Sequence, residues 1–181
     1  MKLNCTTKLP PKLRKHVIAL TKYTVETIFT KRQQAKLQSV SIRLDRSMTN
    51  AQDINVDTMP LAYMDIDIKD EEDFNRPTNF ILWINPLFTK KNLSGNGRTV
   101  LAETIVHELA HVKQHVSGAM KQICKNGSML IKFNKKMYNV RDSDNYWLYP
   151  WEIEARGYER GVLNLYCIKY SCFKMFPENP I

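Results

Sequence analysis

The chain has 181 residues, 43% hydrophobic and 25% charged, which gives one domain over residues 1–181 enough apolar material for its own core. That composition excludes a disordered chain, and no apolar run approaches the length of a membrane span. Lys and Arg number 27 against 18 Asp and Glu, a net charge of +9 that admits a polyanionic partner.

The positive excess reads as spread along the chain, with a mild concentration from Lys8 to Lys36. It is taken mainly as a solvated face, with nucleic-acid binding as the minor reading. Cys5, Cys124, Cys167 and Cys172 form no C-x-x-C pair, which argues against a thiolate-held zinc. Met1–Cys5 lacks the apolar stretch of a signal peptide. The expectation is a reducing cytosol with free thiols, and association with a virion stays compatible with it.

In chain order, residues 10–38 open with Pro10 and Pro11 and carry Leu13, Val17, Leu20, Val25, Ile28 and Leu37 among polar residues. This predicts an amphipathic helix, broken somewhere in the β-branched Thr21–Thr30 stretch. His16 reads as an ordinary surface histidine. Ser39–Asp45 and Leu61–Ile68 alternate as strands, and Asn79–Pro86 reads as a buried third strand stopped by its proline. Arg46–Thr58 and Lys69–Thr78 read as loops, and Lys90–Arg98 as a glycine-bearing one. After Gly118 the chain reads as irregular until a hairpin over Ser128–Val140, turning at Asn134-Lys135. A turn at Asp142–Asn145 and an aromatic run, Tyr146–Pro150, precede a helix from Trp151 to Leu165. The tail from Ser171 to Ile181 is expected to be loosely held.

The chemistry is carried by Thr99–Gln114, which contains His107-Glu108-Leu109-Ala110-His111. Residues four apart on a helix sit about 40° apart and roughly 6 Å along the axis, so two imidazoles can converge on one ion. A Glu beside the first His then faces a water on that ion, which is the arrangement of a zinc protease. Leu101, Ile105, Leu109, Val112 and Val116 form one apolar stripe, and Thr104, His107, Glu108 and His111 form another face. Thr99 is the expected N-cap and Gly118 the expected stop.

A catalytic zinc needs a third protein ligand. His115 lies about 12 Å along the helix from His107 and cannot share its ion, so it is expected at the rim or as a substrate contact. No histidine follows it, and His16 is the only other one. A carboxylate is left, and Glu152 and Glu154 on the Trp151 helix both offer one; periodicity does not choose between them.

The segment from His107 to Gln114, followed by Tyr149-Pro150-Trp151-Glu152-Ile153-Glu154-Ala155, resembles the gluzincin metallopeptidases. Within them it is similar to compact phage and bacterial metallopeptidases and to the minigluzincins. The resemblance covers roughly residues 75–165. It implies an α+β, zincin-like fold with an N-terminal helix, a small twisted sheet, an active-site helix and a C-terminal ligand helix. It implies Zn2+ as cofactor, Glu152 as third ligand in a Glu-x-x-Ala pattern, and Ala155 as the residue where the helices approach. Glu154 is the alternative ligand, or else a supporting or surface charge. Arg156 stands where the fuller Glu-x-x-Ala-Asp form has aspartate.

The activity so implied is peptide-bond hydrolysis with Glu108 as general base. Tyr149, Tyr158, Arg156 and His115 are candidates to hold the oxyanion or contact substrate. The Asn79–Asn85 strand is expected to bind the polypeptide substrate by its edge. Two competing readings are a SprT-like DNA-associated protease and a catalytically silent zinc-binding module. A further expectation is latency, with residues 1–38 blocking the cleft.

Overall fold

The computed structural model describes residues 1–45, 62–67, 77–86, 95–125, 128–140 and 143–177. The expected loop at 46–58, residues 69–76 of the one expected at 69–78, and residues 90–94 of the one expected at 90–98 lie outside these residues; Gly95–Arg98, expected as loop, is instead the first turn of a helix. The architecture is α+β, with four helices and two small sheets among the described residues.

β1 (Lys2–Cys5) leads into α1 (Pro11–Ile28) and α2 (Lys31–Lys36), and β2 (Ser39–Leu44) returns parallel to β1. The expected helix break falls at Phe29–Thr30, where a capping box restarts the helix. The Gln33 amide donates to the Thr30 hydroxyl, and the Thr30 amide donates to the Gln33 side chain. β3 (Ala62–Ile66) is antiparallel to β4 (Asn79–Ile84), and the sheet runs β1-β2-β4-β3.

That order corrects one expectation. β4 pairs with β2 on one side and β3 on the other, so it has no free edge for a substrate. Its unbroken apolar run, Phe80 to Ile84, is the signature of a central strand covered on both faces. Among the described residues β3 is one edge strand of this sheet and β1 the other.

α3 (Gly95–Ser117) crosses the molecule's centre and buries Leu101, Ile105, Leu109, Val112 and Val116 as expected, with Ala102, Val106 and Ala110 beside them. Leu13, Val17 and Leu20 of α1 enter the same core. Thr99 is inside this helix and does not cap it. Its hydroxyl donates within reach of two carbonyls, Gly95 and Pro177. The helix ends where foreseen, at Gly118 with φ +79°.

The stretch after Gly118 is not irregular. It forms β5 (Met120–Lys125), which pairs with β6 (Ser128–Phe133), and β6 pairs with β7 (Lys136–Asn139). The foreseen turn at Asn134 and Lys135 has both residues at positive φ, as a two-residue type I′ hairpin requires. A 3-10 turn over Ser143–Leu148 follows, then α4 (Pro150–Tyr170), packed along α3.

The tail is not loose as far as Pro177. Cys172 and Phe176 are buried, and the Met175 carbonyl accepts from Arg98. A β-carbon on Gly95 would fall 2.6 Å from the Pro177 ring, so a larger residue at the start of α3 would require that ring to move. His16 is also more than a surface residue. It is half-buried, bonded at 3.0 Å to the Tyr166 hydroxyl, and its pKa is lowered first by burial. No helix among the described residues is long and apolar enough to cross a membrane.

Candidate metal centre

α3 and α4 lie side by side, and Ala155, fully buried, sits where they meet. The absence of a larger side chain there lets the start of α4 bring Glu152 over the histidine face of α3. Glu152 is 1% exposed. One of its oxygens is 3.1 Å from His107 Nε2 and the other 3.4 Å from His111 Nε2. The two Nε2 atoms are 3.0 Å apart. Of the two glutamates that periodicity left open, this one faces the histidines. Glu154 turns to Lys113, 3.1 Å away, and receives a longer contact from Gln114.

The outer nitrogens of the imidazoles fix what the inner ones present. His107 Nδ1 lies 2.7 Å from a Glu159 oxygen, and an ionised carboxylate only accepts. His111 Nδ1 lies 2.9 Å from Gln114 Oε1. Gln114 is oriented by its other end, whose Nε2 donates to the Trp151 carbonyl. Both Nδ1 atoms therefore carry the proton, and both Nε2 lone pairs point inward. They meet the two Glu152 oxygens, which are buried and without a hydrogen-bond partner. Three residues thus converge with acceptor atoms alone, all within 4.8 Å of one another. Such a cluster is costly unless a cation or a proton sits in it. A tetrahedral ion bonded at about 2.0–2.2 Å holds its ligand atoms roughly 3.3–3.6 Å apart, close to the spacings here. His107, His111 and Glu152 therefore form a site compatible with a divalent metal.

With protons alone the cluster responds as a buried charge network. Burial opposes protonation of His107, but bonds to Glu152 and Glu159 outweigh it and raise its pKa to about 9. Burial pushes Glu152 up, and the two histidines more than reverse this, holding it well below the usual carboxylate range.

Glu108 lies on the same face, and burial raises its pKa above the ordinary carboxylate value. It accepts a 2.9 Å bond from the Met64 amide on β3, which ties α3 to that strand. The cleft around these residues has a volume of about 750 Å3. It is bounded by β3, the histidine face of α3, the β5–β6 sheet and the start of α4.

The remaining candidates separate. Arg156 lines the cleft with its guanidinium over Trp147, 4.3 Å from the ring centroid. His115 lines it too, but as a buried residue and not at the rim, with Nε2 unpartnered and burial lowering its pKa to about 4. Tyr149 does not reach it. That ring stacks on Trp151 at 4.4 Å, and its hydroxyl donates to the Asn139 carbonyl. The Tyr158 hydroxyl is taken by Lys113. The phenol that does face the cluster is Tyr146, at the start of the aromatic run. Burial and the Glu152 carboxylate beside it raise its pKa strongly. Only the density of aromatics before Pro150 hinted at it. Gln114 and Glu159 were missed as supports of the histidines; their signal was spacing, three residues after His111 and seven after Glu152.

No protein-family model, curated protein or solved structure gives a significant match to the chain.

Proposed function

We propose that the protein is a zinc-dependent peptidase of the gluzincin type with a zincin-like fold. The observation that carries this reading is the trio of inward-facing acceptors, His107 Nε2, His111 Nε2 and the Glu152 carboxylate, with Glu108 beside it in an open cleft. His107, His111 and Glu152 would hold the ion, which when bound supplies a Lewis acid and activates a water. Two imidazoles and a carboxylate suit zinc.

Glu108 then works as the proton carrier. Its raised pKa brings it nearer the range where it can take a proton from the attacking water and return it to the leaving amine. Tyr146 would donate to the oxyanion, and Arg156 is a second donor on the cleft wall. An extended polypeptide would lie along the outer edge of β3, whose Ala62, Tyr63 and Met64 line the cleft, and the Met64 amide would pair with it only on leaving Glu108.

The Glu108→Gln variant tests the role of the base. It should keep the metal and lose at least about a hundredfold in cleavage of an unfolded protein substrate. Retained turnover would refute the assignment.

A further inference from the structure

Residues 1–44 hold ten Lys and Arg against Glu26 alone, while the other 137 residues hold seventeen of each sign. The entire net charge of +9 therefore sits on residues 1–44, from β1 to the end of β2, and the rest of the chain is balanced. The reading of the excess as spread is corrected by that count.

Folding turns this charge outward. Around α1, at 100° per residue, the buried Leu13, Val17, Leu20 and Thr24 fall about 80–140° from Lys12. Lys15 and Lys22 fall near 280–300°, on the opposite side. Lys12, Lys15 and Lys22 are exposed, as are Lys8 before the helix and Lys31, Arg32 and Lys36 on α2. Among the described residues none of the seven has an ion-pair partner. None of these elements contributes to the cleft, whose walls carry Glu103, Glu108, Glu152 and Glu159 instead.

We propose that the α1–α2 face binds the phosphodiester backbone of duplex nucleic acid without sequence preference, on a surface separate from the cleft. Exposed Lys and Arg on a helix of about 27 Å can follow most of one duplex turn and neutralise its phosphates. A lipid surface fits less well. Met1 is the single large apolar side chain exposed on the described residues of this region, and an interfacial helix needs several. Single strands fit less well too, because base stacking needs free aromatic rings. Tyr23 of α1 is engaged with Tyr166 and Tyr170.

The test is fluorescence anisotropy of the full chain with a labelled duplex of about 20 base pairs and arbitrary sequence, a length that spans two helical turns. The matching single strand and phosphatidylserine vesicles run beside it. Three charge-reversal variants are compared, Lys12→Glu/Lys15→Glu/Lys22→Glu, Lys31→Glu/Arg32→Glu/Lys36→Glu, and a control on the β6–β7 hairpin, Lys132→Glu/Lys135→Glu/Lys136→Glu. Circular dichroism confirms that each is folded. The expected result is duplex binding with a slope of log affinity on log salt of about −4 to −6. Each α1 or α2 variant should lose about tenfold or more, and the hairpin control much less. Absent duplex binding at low salt, equal loss in the hairpin variant, or tighter binding to vesicles or single strand would each overturn the proposal. All of these readouts are independent of peptidase activity.

Discussion

His115 shows how a single side chain can be decided by burial. One turn beyond His111, it is 6% exposed, and its Nε2 has no partner. Its pKa of about 4 in the folded chain lies below the 6.5 of an unfolded one. Protons therefore prefer the unfolded state between these values. The neutral residue's contribution is complete above pH 6.5 and lost as pH falls toward 4, at up to about 1.4 kcal/mol per pH unit. His115→Phe should be at least as stable at pH 7 and lose less stability than wild type on acidification, as measured by denaturant titrations from pH 7 to 4. Parallel pH curves for the two proteins would contradict this. The histidine motif was legible because three residues of fixed chemistry repeat on one helix face. The choice of Glu152 over Glu154 was not legible from periodicity, since both flank the apolar stripe of α4. It was set by packing, with Ala155 at the crossing and Lys113 waiting for Glu154.

At the scale of elements, the crossing of α3 and α4 positions the site, and Ala155 sets how close they come. A Leu at position 155 would overpack a fully buried contact, destabilising by about 1–3 kcal/mol. It should also push Glu152 away from the histidines, so Ala155→Leu is expected to weaken zinc binding while Glu108→Gln does not. Titration of both variants with a chromogenic chelator separates the two effects. Helix stripes, the Asn134-Lys135 turn and the Gly118 stop could be read from the sequence because each is a local signal. β5 could not, because Met120–Lys125 has little alternation of its own and becomes a strand by pairing with β6. Nor could the edge position of β3, since strand order is a property of the sheet and not of any one segment.

For the molecule as a whole, the N-terminal region is part of the core. β1 pairs with β2, and Leu13, Val17 and Leu20 are at most 2% exposed. No residue of 1–38 lines the cleft, so the expectation that this segment blocks it does not hold. Deleting residues 1–38 should abolish cooperative unfolding in a thermal melt and yield no gain in activity. A folded and activated product would contradict that. Residues 1–44 carry the chain's entire net charge, a division visible only when the count is taken by region. The fold thus separates a basic outer face from a cleft lined by carboxylates.

The most direct test of the central claim is the zinc content of the purified full chain by elemental analysis, wild type beside Glu152→Ala and Glu154→Ala. One zinc per chain is expected in wild type and Glu154→Ala, and a loss approaching complete in Glu152→Ala. Zinc retained at full stoichiometry in Glu152→Ala, or absent from folded wild type after reconstitution, would contradict it.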